Sequence, residues 1–281
     1  MQRSILMRSD HLGKFTDDTT VHKISDNQFA TEFRRGWRIG QVPNGGYTIA
    51  IIGRALREAL PHRDPLSINA FYLAPTTLGA AEIIIEPLKL GRGTSFASAS
   101  LWQSGELKVR ATAAYTDQGR LEGADWLNSA PPEAPSFADC AAPSAAVLEI
   151  HQNIDMRFVA GQEVFQGAEP PGTGEFIAWL QHTDGADLDT IDLLMMADVM
   201  PPPAFTLFGP YGWVPTIELT VQVRGLPAPG PLLGRHKSRH LSKGIIEVDG
   251  DFWDSKGQLV ALSRQMMKIR LPKEQRAAPF G

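Results

Sequence analysis

The chain contains 281 residues, of which 43% are hydrophobic, and carries a formal net charge of −4. That small negative charge excludes the global basic field that nucleic-acid-binding proteins present to their partners. The single cysteine, Cys140, cannot form an internal disulfide, which is typical of a reducing compartment. No apolar run approaches the roughly 18 residues of a membrane span, and residues 1–15 lack the apolar stretch of a signal peptide. We therefore expect a cytoplasmic protein whose partners include neither a nucleic acid nor a membrane.

A first series of elements occupies residues 21–115. Alternation of apolar with polar residues predicts antiparallel strands that each have one buried face. The predicted strands lie at 21–25, 28–34, 66–73, 80–90, 94–103 and 107–115.

A glycine-rich turn separates the second predicted strand from a helix. Residues 36–47 read Gly-Trp-Arg-Ile-Gly-Gln-Val-Pro-Asn-Gly-Gly-Tyr, and Pro-Asn-Gly-Gly is typical of a turn. Apolar residues recur at helical spacing over 47–60, which predicts a buried helix. Free backbone N–H groups and the positive end of the helix dipole collect at such a start. Asn44, Gly45, Gly46 and Tyr47 are therefore candidates for binding a substrate carbonyl oxygen as it becomes an oxyanion, although a purely structural turn would look the same.

Residues 118–146 differ in composition from the segments on either side. Several prolines among Ala, Ser, Asp and Glu predict a linker that runs over the surface. A second series of elements follows, with a helix predicted over 188–199 and ended by the prolines at 201–203. Its predicted strands lie at 154–159, 175–182, 214–224, 232–241, 245–253 and 258–270. The polar tail after Leu271 is expected to be frayed.

The two series match as an internal repeat. Leu90-Gly91-Arg92-Gly93 parallels Leu241-Ser242-Lys243-Gly244, and Pro65 parallels Pro215 at an offset of 150. Each unit therefore combines one long helix with an antiparallel sheet, which is an α+β architecture. A sheet wrapped on a helix is the hotdog fold, so the repeat predicts a double hotdog. We place the N-terminal hotdog at 1–118, the linker at 119–150 and the C-terminal hotdog at 151–281.

In the order and spacing of its motifs over residues 21–270, apart from the linker, the chain resembles the thioesterase-like superfamily related to acyl-CoA thioesterase II. The segments that carry the resemblance are Trp37-Arg38-Ile39-Gly40, Val42-Pro43-Asn44-Gly45-Gly46-Tyr47, Leu90-Gly91-Arg92, Asp198 ahead of Pro201-Pro202, Trp213-Val214-Pro215-Thr216-Ile217-Glu218, Asp254-Ser255-Lys256-Gly257 and Leu262-Ser263-Arg264-Gln265. The resemblance implies a catalytic Asp, Thr and Gln at Asp198, Thr216 and Gln265, all in the second unit. The chain departs from these relatives at Glu218, where they have Asp, and in a shorter, proline-rich segment between Asp198 and Thr216.

Each of the three candidate residues can also be judged from its position. Gln265 lies in a largely apolar row of its strand, where its repeat counterpart is Ala113, so the fold does not require an amide there. Asp198 ends an apolar helix, where burial would raise its pKa and make it a plausible base. Thr216 falls on the row opposite Leu219 and points away from the helix side, unless Pro215 marks a β-bulge.

The resulting prediction is an acyl-CoA thioesterase that hydrolyses a medium- or long-chain acyl-CoA with activated water and needs no metal or cofactor. The resemblance further implies a homodimer. The basic residues between Arg235 and His240 are expected to form a solvated strand or to contact the CoA phosphates, since no nearby carboxylate or Cys completes a metal site. One alternative is an acyl-thioester hydratase or dehydratase, but neither predicted helix contains the histidine of the usual His–Asp pair. A second alternative is a non-catalytic protein that binds acyl-CoA or another hydrophobic ligand.

Overall fold

The computed structural model describes residues 14–142, 148–210 and 213–271. The segments outside the described residues include 1–13, where the sequence predicted no signal peptide, 143–147 of the predicted linker, and the predicted frayed tail at 272–281. No helix within the described ranges is long and apolar enough to cross a membrane.

The described residues form fifteen strands and four α-helices. The strands are β1 (Val21–Ser25), β2 (Gln28–Phe33), β3 (Arg38–Ile39), β4 (Val42–Pro43), β5 (Asp64–Tyr72), β6 (Gly79–Leu90), β7 (Ser95–Gln103), β8 (Glu106–Thr116), β9 (Ile154–Ala160), β10 (Glu175–His182), β11 (Thr216–Val223), β12 (Leu232–Lys237), β13 (Leu241–Ser242), β14 (Ile245–Trp253) and β15 (Leu259–Lys268). The helices are α1 (Lys14–Asp18), α2 (Gly45–Ala59), α3 (Asp192–Met196) and α4 (Ala204–Phe208).

Thirteen strands build one antiparallel sheet that contains both predicted units. Its order is β1-β2-β6-β7-β8-β5-β11-β15-β14-β12-β10-β9, with β13 paired to β14. The first six strands in this order belong to the first series, and the second series follows in the mirrored order. The two halves meet where β5 pairs with β11.

A register shift occurs at the same place in each half. It lies between Pro65 and Ser67 where β5 pairs with β8, and between Thr216 and Glu218 where β11 pairs with β15. Pro65 therefore corresponds to Thr216 in the ladders. The predicted equivalence of Pro65 with Pro215 is wrong by one residue, because sequence comparison matched the prolines rather than the shifted register.

The predicted helix of the first unit is confirmed as the 15-residue α2, which packs against the sheet and α3. Asn44 caps its start, and Ile49, Ile51 and Ile52 are completely buried. The hydrophobic core extends from these residues into both halves of the sheet.

The long helix predicted for the second unit is wrong. Residues 188–199 contain only the five-residue α3, and the short α4 follows it. The carboxylate of Asp189 accepts the backbone N–H groups of Ile191 and Asp192, which starts the α-helix late. The prolines at 201–203 then separate α3 from α4.

The segment after β8 behaves largely as the predicted surface linker. Residues 121–136 form no helix or strand and are mostly exposed. The linker nevertheless crosses the outer face of the second half of the sheet, where Trp179 donates a hydrogen bond to the Pro135 carbonyl at 2.9 Å. The Arg157 guanidinium also lies 4.0 Å from the ring centre of Phe137. The domain boundaries at 118, 119, 150 and 151 remain a prediction.

Candidate active site

The start of α2 is shaped by its cap and by two glycines. Asn44 accepts the N–H of Tyr47 at 3.0 Å through its side-chain oxygen, which satisfies one free amide of the first turn. A Cβ atom on Gly46 would lie 2.5 Å from the carbonyl oxygen of Met195, and one on Gly45 would lie 2.8 Å from the carboxylate of Asp198. Glycine is therefore needed at both positions, because α3 and the residues after it approach the helix start so closely.

Asp198 lies just beyond α3 and points at the start of α2. Its Oδ2 accepts the N–H of Gly46 at 2.9 Å and the side-chain amide of Asn44 at 3.1 Å. The same Asn44 amide group also donates to the Asp198 carbonyl at 3.0 Å. An acid from the second unit is thus held by the positive end of the helix in the first unit.

Burial controls the acidity of Asp198. Loss of solvation raises its pKa to about 6, although hydrogen bonds from Gly46, Asn44 and Gln265 favour the ionised form. A carboxylate with this pKa is ionised at neutral pH and can still accept a proton from water. Asp198 therefore has the properties of a general base.

Thr216 and Gln265 form the second part of the site. The Thr216 hydroxyl donates to the side-chain oxygen of Gln265 at 3.0 Å, and Gln265 is only 2% exposed. The register shift in β11 explains the direction of Thr216. It makes Ile217 the extra residue and places Thr216 opposite Met267, on the buried face. The expectation that Thr216 points away holds only for a regular strand, and the bulge brings it to Gln265.

The structure therefore brings the three predicted catalytic residues together with the predicted oxyanion-binding segment. The amides at the start of α2, however, already have acceptors. The N–H of Gly46 donates to Asp198 and that of Tyr47 donates to Asn44. In this arrangement the helix start orients the acid, and a direct role for Asn44, Gly45, Gly46 and Tyr47 in binding substrate stays a prediction.

Tyr72 is a member of the site that sequence reasoning missed. Its hydroxyl donates to the carbonyl of Gly45 at 2.8 Å. Burial raises its pKa well above the usual value, and the charges of Asp198 and Glu218 add to the effect, so the hydroxyl stays protonated. The strand alternation that places Ile68 and Ala70 on the buried face of β5 also places Tyr72 there and was the available signal.

A buried His–Asp pair was also missed, because its histidine precedes the helix. His182 Nε2 lies 2.7 Å from Asp192 Oδ1, and both residues are 4% exposed. The imidazole stacks on Phe15 at a centroid distance of 5.2 Å, and the other carboxylate oxygen of Asp192 accepts the N–H of Asp189. These contacts enclose the pair in the core.

The basic stretch at 235–240 divides between the two faces of β12. Arg235 pairs with Asp251, Lys237 with Glu175 and Arg239 with Asp249. His236 is instead completely buried.

A cavity of about 290 Å³ borders Gln265. Its other lining residues are Glu218, His240, Ser242, Ile245, Glu247, Arg264 and Met266.

Both halves of the chain match known family models. Residues 127–269 match the family model of the acyl-CoA thioesterase C-terminal domain, and residues 33–116 match that of the acyl-CoA thioesterase N-terminal domain. The chain therefore belongs to the acyl-CoA thioesterase family.

Similar proteins extend over nearly the whole chain. An uncharacterised protein of Mycobacterium tuberculosis is 24% identical over 278 residues, which cover 86% of this chain and 90% of the relative. The structure of a candidate thioesterase II from Thermobifida fusca superposes with a TM-score of 0.85 at 26% identity, covering 93% of this chain and 99% of that one. A protein of Alicyclobacillus acidocaldarius with a hotdog fold gives a TM-score of 0.83 at 23% identity, with coverage of 93% and 99%. This chain shares that hotdog fold.

Proposed function

We propose that the protein is an acyl-CoA thioesterase of the double-hotdog type, in which Asp198, Thr216 and Gln265 hold and activate the attacking water. The observation that carries this proposal is the buried Asp198, with a pKa near 6, beside the hydrogen-bonded pair of Thr216 and Gln265. The family match supports a thioester substrate.

In this mechanism the carboxylate of Asp198 removes a proton from a water molecule while the oxygen of that water attacks the thioester carbonyl carbon. The tetrahedral intermediate then collapses with cleavage of the C–S bond, and the proton held by Asp198 passes to the departing thiolate. Thr216 fixes the amide plane of Gln265, so that its NH₂ group faces the reacting atoms. The free acid and CoA are the products, and no metal or cofactor is required.

An apolar cluster beside the site supports a medium- or long-chain acyl group. It is separate from the main core and consists of Ala204, Phe208, Ile246, Val248, Met267 and Ile269. Met267 and Val248 flank Gln265 along and across the sheet, so the surroundings of Gln265 on this side are apolar. A homodimer and a cytoplasmic location belong to the same proposal.

The decisive experiment is release of free thiol from a series of acyl-CoAs of increasing chain length. We expect kcat/KM of Gln265→Ala to fall at least about 100-fold, the usual effect of removing a group that stabilises the transition state. Gln103→Ala is the matched control, because Gln103 is similarly buried and its side chain bonds within the first unit, to the backbone of Thr77 and to the carbonyl of Ala80 at the start of β6. Equal rates for wild type and Gln265→Ala would contradict the assignment.

The alternatives predict other outcomes of the same series. A binding protein would release no thiol yet retain acyl-CoA, and a hydratase would alter an enoyl-CoA without cleaving the thioester. The His182–Asp192 pair gives the hydratase little support, since its ring and both carboxylate oxygens are engaged within the core.

A further inference from the structure

The core of the second unit contains buried polar side chains without partners. Among the described residues, the hydroxyls of Ser238 and Ser263 have no hydrogen-bond partner, and neither ring nitrogen of His236 has one of normal geometry, although the ring lies near the backbone carbonyl of Ala197. These side chains are 0%, 9% and 8% exposed. Buried polar atoms are nearly always paired because leaving one unpaired is unfavourable, so water or a ligand has to complete them.

His236 and Ser263 lie in one row across the sheet, with Gly250 between them. A Cβ atom on Gly250 would lie 2.2 Å from the Ser263 hydroxyl and 3.2 Å from the His236 ring, so the absent side chain leaves room for both. Ser263 precedes Gln265 by two residues on the same face, about 7 Å along the strand. The backbone carbonyl of Ala197, the residue before Asp198, lies near one ring nitrogen of His236 and favours its protonation, which leaves the other nitrogen as the acceptor to be satisfied. The unpaired atoms therefore adjoin the candidate active site.

The first unit shows that the fold does not need polar groups here. Its equivalent row, at offsets of 151 or 152 residues, contains Ile85, Ala99 and Ala111, which are all buried. The same layer of the sheet is thus entirely apolar in one unit, while the other places an imidazole and a hydroxyl in it.

We propose that His236, Ser238 and Ser263 form a specificity subsite for a hydroxyl substituent in the body of the acyl chain. This inference rests on the proposed thioesterase function. Burial lowers the pKa of His236 to about 4, so the ring is neutral near pH 7. A neutral imidazole and a hydroxyl each donate and accept a hydrogen bond, which suits an uncharged oxygen. A carboxylate would leave the acceptor nitrogen of the ring unpaired.

The test compares octanoyl-CoA with 3-, 5- and 7-hydroxyoctanoyl-CoA. We expect wild type to favour the 5- or 7-hydroxy substrate, because the subsite lies some distance from the thioester. The variants are Ser263→Ala and the double variant His236→Ile/Ser263→Ala, which introduces the first-unit residues Ile85 and Ala111 at the two polar positions of the row. In both variants, the kcat/KM for the favoured hydroxy substrate, divided by that for octanoyl-CoA, should fall about tenfold. Ser100→Ala, a buried serine of the first unit, is the control and should keep the wild-type ratio.

A ratio that is the same in wild type and the double variant would overturn the subsite and assign these atoms to buried water. If no thioester is cleaved at all, the proposed function fails, and the subsite is tested separately with the free acids. A rise in Tm with 5- or 7-hydroxyoctanoic acid, larger than with octanoic acid and lost in the double variant, would sustain it. Equal shifts for the three acids would overturn it.

Discussion

At the scale of single residues, Asp198 shows how the fold keeps an acid buried and still able to ionise near neutral pH. Desolvation opposes its charge, while the Gly46 amide and the Asn44 side chain favour it. Both of these hydrogen-bond donors belong to the first unit, so they are not sequence neighbours of Asp198. The pKa near 6 is the balance of these opposing effects, which predicts a measurable dependence of stability on pH.

The folded chain holds the Asp198 proton more tightly than the unfolded chain, in which the pKa is near 3.8. Ionisation in the folded state is therefore unfavourable, and this group loses its stabilising effect as the pH rises from 4 through 6. The difference between the folded and unfolded pKa values lowers the free energy of unfolding by roughly 3 kcal/mol above pH 6, relative to its value at low pH. Asp198→Asn cannot ionise, so its free energy of unfolding, relative to wild type, should increase by about that amount between pH 4 and 7.

Urea denaturation of both proteins across this pH range measures the effect. A constant difference would show that Asp198 ionises normally. The kcat/KM of wild type should fall below about pH 6 as the base becomes protonated, which checks the same pKa from the kinetic side.

The resemblance predicted Asp198, Thr216 and Gln265 as a set, and the structure brings them together, but their contacts could not be predicted and their catalytic roles stay a prediction. The direction of Thr216 depends on the extra residue Ile217, and Pro215, which directly precedes β11, made a bulge there possible without fixing the register. The hydrogen bonds of Gly46 with Asp198 and of Tyr72 with Gly45 join residues far apart in sequence. Local patterns contain no information on such contacts.

At the scale of elements, the close contact of α2 with α3 depends on glycine. Gly46 faces the backbone of Met195, whereas Gly53 faces the flexible end of Leu194, where a Cβ atom would lie 2.7 Å from Cδ1. A methyl group added at Gly46 would therefore displace backbone, whereas one added at Gly53 would displace only the end of a side chain. Alanine substitutions at the two positions measure how rigid the contact between α2 and α3 is.

Gly46→Ala should lower the free energy of unfolding by about 3 kcal/mol, because the backbone carbonyl cannot yield without moving α3. Gly53→Ala should stay within about 1 kcal/mol of wild type, because Leu194 can change rotamer and alanine favours the helix. Gly93→Ala is the control, since nothing lies within 4 Å of its added methyl group. Urea denaturation gives the three values, and equal values for Gly46→Ala and Gly53→Ala would contradict the argument.

The helix of the first unit was predictable and that of the second was not, for a physical reason. In α2, an N-cap and a continuous apolar run act together over 15 residues. Residues 188–199 have a similar apolar run, but Asp189 binds the backbone amides of Ile191 and Asp192 and so replaces the first helical turn with a side-chain turn. The spacing of apolar residues does not record that competition.

At the scale of the whole molecule, the two units are joined by more than the β5–β11 pair. Arg57 of α2 donates to Asp189 at 2.7 Å and to Thr190 at 2.8 Å, and Thr190 donates to Asp64 at 2.8 Å. Burial alone would raise the pKa of Asp189, but hydrogen bonding with Asp192 and the charges of Arg57 and Arg54 hold it well below its usual range. A polar network thus crosses between the units near the end of α2 opposite the candidate active site.

The repeat, the twelve longer strands and the α+β architecture could be predicted because alternation and turn residues are local signals, whereas the two-residue strands β3, β4 and β13 were missed. The joining of both halves into one sheet could not, since β5 and β11 are separated by about half the chain. That continuity implies that the units lose their structure together. The Arg57 network provides a test of this coupling.

Arg57→Met should lower the free energy of unfolding by about 3 kcal/mol, because it leaves the carboxylates of Asp189 and Asp64 without their shared cation. Unfolding should remain a single transition, since the continuous sheet still connects the units. Arg110→Met is the matched control, because Arg110 pairs with Glu86 on the exposed face and should contribute less than about 1 kcal/mol. Urea denaturation followed by circular dichroism and by tryptophan fluorescence reports on both questions. Two separate transitions in Arg57→Met would show that the network, and not the β5–β11 pair, holds the units together. A decrease in the free energy of unfolding no larger than that of Arg110→Met would show that the network contributes little.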